Sequence, residues 1–586
     1  MITIGLIILA ITFAYGIVLL SLQRSDRAVT SIISPFVYGI CFILSLVMLF
    51  GVNSDESLSL IPAASAYSAF KLNFTFTVSR FSAAILCFAS LIAMCISFFS
   101  VKETDKDETG SNRTYLAFSL FGISGLALSG NILVLFIFSE ITNLVSYLIL
   151  NKEGKKLYLF KTVTLNFISD LALITGILLI FSVVRSFEFG DIRNAIDTGI
   201  LSGQFLILSG ACLLTGTLAK AAVFPFHTWL TTNEEISGKP ENIFLSLLML
   251  PAGIVLTIQL SPLFAPAIMN AMVCIGVVSV IYGLILSSFQ KDIRHTIKFL
   301  AIAHSGLIFT ALGSGSITSA VLLFASVSIA RLALLYSSKI IEQDSAQKRS
   351  VFYYWLLFSS AVAYAGLPLS SLFLSYENLI KNATLLNGII PGLNTLYIVF
   401  IMVFCGLGAF NIFKFIFKKD PAGYSDFSLS DLKSPEGYLG IVILLLSSFF
   451  AWFSLSPYNV SLIWIPGYLN LTHGLGFADS QIAGIQFFEN FFTLFSIALG
   501  VMAAFFITAK EEFPQNVGAK QLYGLELFFD NAFARYFIAK EEPEADDSVI
   551  SLNRFFTRFL KLDEPGAYIS FSLLLIVIFY FIFRTM

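Results

Sequence analysis

The chain has 586 residues, of which 57% are hydrophobic and only 12% charged, with a mean hydropathy of +0.85. Soluble domains carry about 25% charged residues, so this composition excludes a soluble globular enzyme and specifies a polytopic membrane protein. A formal net charge of -2 offers no polybasic surface for nucleic acid or anionic lipid.

Apolar runs long enough to cross a bilayer, about 20 residues each, number about 16. In chain order they are 2–22, 30–51, 81–101, 114–129, 131–150, 160–184, 203–224, 241–261, 266–288, 295–314, 316–338, 351–380, 394–417, 436–455, 485–508 and 566–583. The first is too long and too poorly flanked by basic residues for a cleaved signal peptide. Lys152, Lys155, Lys156, Lys291, Arg294, Lys339, Lys348, Arg349, Lys418 and Lys419 fall on one side of this arrangement. The positive-inside rule makes that side cytoplasmic and places both termini across the membrane from it. Six cysteines (Cys41, Cys87, Cys95, Cys212, Cys274 and Cys405) lie in apolar runs without CxxC spacing, which argues against disulfides, zinc and iron–sulfur ligation.

Two runs share an unusual grammar. The run 203–224 breaks at Pro225 and the run 351–380 at Gly366-Leu367-Pro368, each the fourth helix of a five-helix set. Broken helices in matching places are the sequence sign of inverted repeats, whose interface holds a pathway near the midplane. The competing reading is that each proline merely kinks a packed helix. The expected organisation is therefore all-α. N-terminal membrane helices (1–113) precede a first inverted repeat (114–262) and a second (263–419). Further helices (420–508), an amphipathic segment (509–565) and a last membrane helix (566–586) complete it.

Charges inside these runs form a row: Glu140, Asp170, Lys220, Lys298, His304, Arg331, Glu377 and Lys414. A lysine at the centre of a membrane helix costs about 2.5–3.5 kcal/mol, so such groups pair, line water or exchange protons. A row of alternating sign is a candidate proton pathway. Glu140 with Lys220 also reads as a structural ion pair, Lys298 and Lys414 as snorkelling side chains, and His304 as a hydrogen-bonded packing histidine. His227 is expected near the membrane surface just past the break, and no two histidines or cysteines have metal-ligand spacing.

The residues resemble the antiporter-like membrane subunits of NADH:quinone oxidoreductase (complex I), a family shared with cation/proton antiporters and membrane-bound hydrogenases. The resemblance rests on Glu140 before Val145-Ser146-Tyr147-Leu148, on Asp170 in the next helix, and on Lys220-Ala221-Ala222-Val223-Phe224-Pro225-Phe226-His227-Thr228-Trp229-Leu230. Further points are Asp292-Ile293-Arg294-His295, His304-Ser305-Gly306 and Leu367-Pro368-Leu369. The tail segment Leu522–Phe533 looks like the piece preceding the lateral helix of the distal subunit, called 5 or L. The acidic run Glu541–Asp547 interrupts any long lateral helix and leaves at most a short amphipathic piece near 549–561.

The resemblance implies a proton-translocating subunit in a bacterial cytoplasmic membrane, partnered by other membrane-arm subunits. Quinone, FMN and iron–sulfur clusters would sit in partner chains, none in this one. In that scheme Glu140 and Lys220 form the switchable pair, Asp170 tunes it, and His304 and Glu377 extend the path. The alternatives are a subunit of a sodium/proton antiporter or of an inorganic-carbon uptake system, or a diverged scaffold that does not pump. Departures in the second repeat bear on this choice. The family's central lysine is Arg331 here, which cannot carry protons because its pKa stays above about 12, and the lysine after the second break aligns with Tyr376. No nucleotide loop or nucleophile constellation stands out, so the chain would serve an enzyme as its transport subunit.

Overall fold

A computed structural model describes residues 1–22, 27–52, 56–60, 73–99, 109–152, 156–231, 249–290, 292–343, 349–367, 370–382, 393–417, 424–425 and 486–509. Among the described residues, ten helices are long and apolar enough to cross a membrane. In chain order the helices are α1 (Ile2–Leu22), α2 (Arg27–Gly51), α3 (Arg80–Phe99), α4 (Thr109–Leu128), α5 (Ile132–Lys152), α6 (Lys156–Val184), α7 (Phe189–Asp197), α8 (Gly203–Lys220) and α9 (Thr228–Thr231). They continue with α10 (Leu250–Leu260), α11 (Pro266–Phe289), α12 (Ile293–Gly313), α13 (Ile317–Gln343), α14 (Val351–Tyr364), α15 (Ser371–Asn382), α16 (Leu393–Ile416) and α17 (Gln486–Ala509).

The apolar runs mark these helices closely, with two informative differences. The run expected over 203–224 stops at Lys220, and the run over 351–380 is two helices, α14 and α15. In both places the chain leaves the helix before the proline, as the steric restriction on residues preceding proline demands. The runs 436–455 and 566–583, the amphipathic piece at 549–561 and Pro368 lie outside the described residues.

The structure is mostly helical, as expected, and adds two short β pairings. β1 (Glu56–Leu60) runs antiparallel to β2 (Phe74–Val78), and β3 (Arg349–Ser350) lies parallel to β4 (Tyr424–Ser425). The alternation Phe74-Thr75-Phe76-Thr77-Val78 has the two-residue period and β-branched content of a half-buried strand. The hairpin has a job in positioning α5. The Gly130 amide donates to the Thr75 carbonyl (2.8 Å), and Asn131 uses its Nδ2 on the Asn73 carbonyl (2.6 Å) and its Oδ1 to accept from the Val134 amide (2.7 Å). Asn131 thus caps the start of α5, satisfying one of the orphan amides there.

The centre of the molecule is the pair α12 and α13. Every residue of α12 from Phe299 to Gly313 is buried, whereas α2 presents Phe36, Ile43 and Phe50 outward. α11 and α12 form a tight antiparallel pair, entered through Asp292, whose carboxylate accepts from the Arg294 amide (3.0 Å). A Cβ on Gly276 would come within 2.6 Å of the Gly306 carbonyl, and one on Gly306 equally close to that of Gly276. Small residues bring the backbones together here, which is how helices associate when lipid supplies no hydrophobic driving force.

Candidate functional site

Glu140 sits on α5, Asp170 on α6 and Lys220 at the last turn of α8. α6 and α8 are held face to face at small residues: the Ser169 hydroxyl donates to the Gly216 carbonyl, and side chains on Gly216 or Gly176 would overlap Leu173 or Leu213. That approach points Asp170 at Lys220. The Lys220 ammonium lies 2.7 Å from Asp170 Oδ1 and 3.5 Å from Glu140 Oε1, and it donates to the Ser139 hydroxyl at 3.3 Å. The sequence reading paired Lys220 with Glu140 and gave Asp170 a tuning role; the structure makes Asp170 the nearer partner. All three are at least nine-tenths buried.

Lys220 is the final helical residue because the chain turns sharply after it. The Ala222 amide donates back to the Ala219 carbonyl (3.3 Å) and the Val223 amide to that of Leu218 (3.0 Å), with Ala222 in the left-handed region at φ 50. This is a Schellman turn, which satisfies carbonyls the helix leaves open. Trp229 Nε1 takes the Ala219 carbonyl as well (2.7 Å), tying α9 to the break. From the other side Gly253 of α10 lies directly against the Lys220 carbonyl group and the Ala221 nitrogen.

Asn143, which sequence reasoning passed over, completes the cluster. It lies three residues after Glu140 on α5 and so shares its face. Its Nδ2 donates to both Asp170 oxygens (3.1 and 3.2 Å) and reaches Glu140 Oε1 at 3.4 Å. Beside the cluster is a cavity of about 20 Å³ lined by Ser139, Thr142, Asn143, Ser146, Asn166 and Lys220, among others. A polar cavity above roughly 10–15 Å³ has room for a water.

His227, expected just past the break near the membrane surface, is buried within the protein and 1% exposed. Its Nε2 meets the Tyr282 hydroxyl at 2.8 Å and its ring stacks near Phe224, whose amide donates to the Ser279 hydroxyl (3.1 Å). The first break is thereby pinned to α11.

The remaining charges do not join the Lys220 cluster. His304 Nδ1 donates to the Leu300 carbonyl (2.7 Å), leaving Nε2 to accept from the Tyr376 hydroxyl (3.0 Å); Tyr364 stands 3.5 Å from Nδ1. The Tyr364 hydroxyl also meets the buried Arg331 guanidinium. His304, Tyr364, Tyr376 and Cys405 border a second cavity of about 10 Å³. Glu377 is buried on α15 and Lys298 half-buried on α12. Lys414 on α16 donates to the carbonyls of Ser287 (3.0 Å), Ser288 (2.8 Å) and Gln290 (3.0 Å), capping the C-terminal end of α11. Among the described residues no group of three histidine, cysteine or acidic side chains is placed to hold a metal, and the six cysteines are free thiols.

The region that holds these residues is similar to a known family. The family pattern "NADH:quinone oxidoreductase/Mrp antiporter, TM" matches residues 129–404, which include Glu140, Asp170, Lys220, His304 and Glu377. Residues 129–404 are thus similar to that transmembrane family. The chain is 29% identical over 300 residues to the chloroplastic NAD(P)H-quinone oxidoreductase subunit 5 of Manihot esculenta, 48% of this chain and 40% of that one. With the same subunit of Amborella trichopoda it shares 28% over 336 residues, 53% of this chain and 44% of the relative. The matches thus span about two fifths of the relatives' length. Among solved structures, a Mrp complex chain from Dietzia sp. superposes with a TM-score of 0.67 at 15% identity, covering 94% of this chain and 61% of that one. A chain of the archaeal membrane-bound sulfane sulfur reductase gives 0.65 at 15% identity, covering 80% of this chain and 99% of its own. At that identity the two structures share the fold.

Proposed function

We propose that this chain is a proton-translocating, antiporter-like subunit of a complex I-like, redox-driven membrane complex. The observation that carries the reading is the contact set Asp170–Lys220–Glu140, a buried cation between two carboxylates at the end of a broken helix. Moving one proton among these three groups changes which carboxylate the lysine pairs with. That is the minimal chemistry of a switch in a low-dielectric interior.

The two broken helices belong to two inverted repeats, in a chain of about 16 membrane helices. The complex resides in a bacterial cytoplasmic membrane with both termini of this chain on the far side, and quinone, FMN and iron–sulfur groups are held by partner subunits. His304 and Glu377 extend the path beyond the first break, while Arg331, Lys298 and Lys414 border it.

The test is proton uptake by vesicles reconstituted with the purified complex, comparing wild type with Lys220→Met. Loss of translocation with assembly intact supports the proposal; translocation at the wild-type rate sinks it. A second reading, a subunit of a sodium/proton antiporter, is favoured by the 94% of this chain that the Dietzia Mrp structure covers. Partners decide between them: co-purification of iron–sulfur and quinone-binding subunits supports the first, and a sodium gradient driving proton movement without them supports the second.

A further inference from the structure

Two carboxylates compete for one lysine in the Lys220 cluster, and their surroundings differ. Both oxygens of Asp170 receive N–H donors: Oδ1 from Lys220 at 2.7 Å and Asn143 at 3.1 Å, Oδ2 from Asn143 at 3.2 Å. The contacts of Glu140 with the same two donors are both at Oε1 and longer, 3.5 Å from Lys220 and 3.4 Å from Asn143. Charge-assisted N–H···O bonds are strong at about 2.7–2.9 Å and weaken toward 3.5 Å. Donors to a carboxylate favour its ionised form.

We propose that Asn143 is the positioning residue that holds the negative charge of the site on Asp170 and leaves Glu140 as the carboxylate that takes up and releases the proton. The inference rests on the proton-translocating reading and assigns roles within it. When Lys220 hands a proton to Glu140, one Nζ–H bond breaks and one Oε–H bond forms. The charges +1, −1 and −1 on Lys220, Glu140 and Asp170 become 0, 0 and −1, so the net charge is unchanged. Asp170 then keeps its charge with only a neutral amine beside it, and the Asn143 amide remains as a donor to both of its oxygens. Ser139, Asn143 and Lys220 all face the 20 Å³ cavity. Lys220 is the sole titratable side chain among the described residues lining that cavity.

The assignment is read by infrared difference spectroscopy of the purified complex, wild type minus Glu140→Gln. Protein is labelled with carboxyl-¹³C glutamate or carboxyl-¹³C aspartate and exchanged into D₂O. The expected result is a protonated-carboxyl band that shifts in D₂O, shifts with glutamate labelling but not aspartate labelling, and vanishes in Glu140→Gln. In Asn143→Leu part of that band becomes sensitive to aspartate labelling, and translocation falls at least fivefold; Asn143→Gln, which keeps an amide donor, recovers part of it. A band sensitive only to aspartate labelling, no band at all, or a spectrum unaltered by Asn143→Leu overturns the inference. If Asn143→Leu fails to assemble, the labelling of the wild-type band alone decides. Wild-type translocation by Lys220→Met would instead sink the underlying reading without touching the band assignment.

Discussion

Lys220 and Tyr364 occupy the same place in their respective breaks. Each is the last helical residue before a Schellman turn: Ala222 and Val223 reach back to Ala219 and Leu218, and Gly366 and Leu367 reach back to Ala363 and Val362 at 3.4 and 3.2 Å. The backbone of the two breaks is alike, and the chemistry hung on it is not. Where the first break presents an ammonium to two carboxylates, the second presents a phenol to His304 and Arg331.

The left-handed residue of each turn makes a paired test. Ala222 has φ 50 and Gly366 φ 72; a left-handed non-glycine residue costs about 1–2 kcal/mol, offset by about 0.4–1 kcal/mol because glycine gains more freedom in the unfolded chain. Ala222→Gly should therefore raise the thermal midpoint of the purified protein slightly. Gly366→Ala should lower it clearly, since its Cβ would also press on the Tyr376 ring at 2.5 Å. Differential scanning in detergent checks both, and midpoints moving in the same direction would refute the turn assignment.

Gly253 should tolerate no side chain at all. Its Cβ would overlap the Lys220 carbonyl and the Ala221 nitrogen, which are backbone atoms and cannot swing aside. Gly253→Ala should displace the break, with translocation cut by an order of magnitude or more on the scale that misplacement of about 1 Å produces. Unchanged translocation per assembled complex would show that the close approach is dispensable.

The Lys220 cluster was readable in the sequence because each member is a charge in an apolar run, which stands out by type alone. Asn143 was not readable in the same way. An uncharged amide on a membrane helix is unremarkable until the fold brings α6 alongside α5, although its spacing of three from Glu140 was a usable signal. The breaks were legible from Pro225 and Gly366-Leu367-Pro368, but not the helix ends at 220 and 364, and the turn chemistry was visible only at the second, where a glycine marks it; Ala222 carries no such mark. His227 reads in the sequence as a residue just past a break, and only the fold shows that break buried against α11. The hairpin was missed because its two short alternating stretches lie among long apolar runs.

Lys414 offers a contrast between pathway and scaffold. Its ammonium is occupied by three carbonyls at the end of α11, an arrangement that stabilises a helix end by up to about 2 kcal/mol in partly buried geometries. Lys414→Met should lower thermal stability by roughly that amount and leave translocation per assembled complex near the wild-type value. A tenfold loss of translocation at unchanged stability would return Lys414 to the pathway.

The Lys220 site itself yields a rescue experiment. Removing one partner of a buried ion pair costs about 3–5 kcal/mol because it leaves an uncompensated charge, so Lys220→Met should destabilise the protein severely while two carboxylates face each other. Adding Asp170→Asn removes one of those charges and keeps an amide in its place. The double variant should recover much of the lost stability, because the remaining Glu140 carboxyl can be neutral in a site without a lysine. Translocation should stay absent in both, since no cation is left to change partners. Chemical denaturation and vesicle proton uptake measured on the same preparations separate the two effects. Additive destabilisation, with the double variant worse than either single, would mean that Asp170 is held by something other than Lys220.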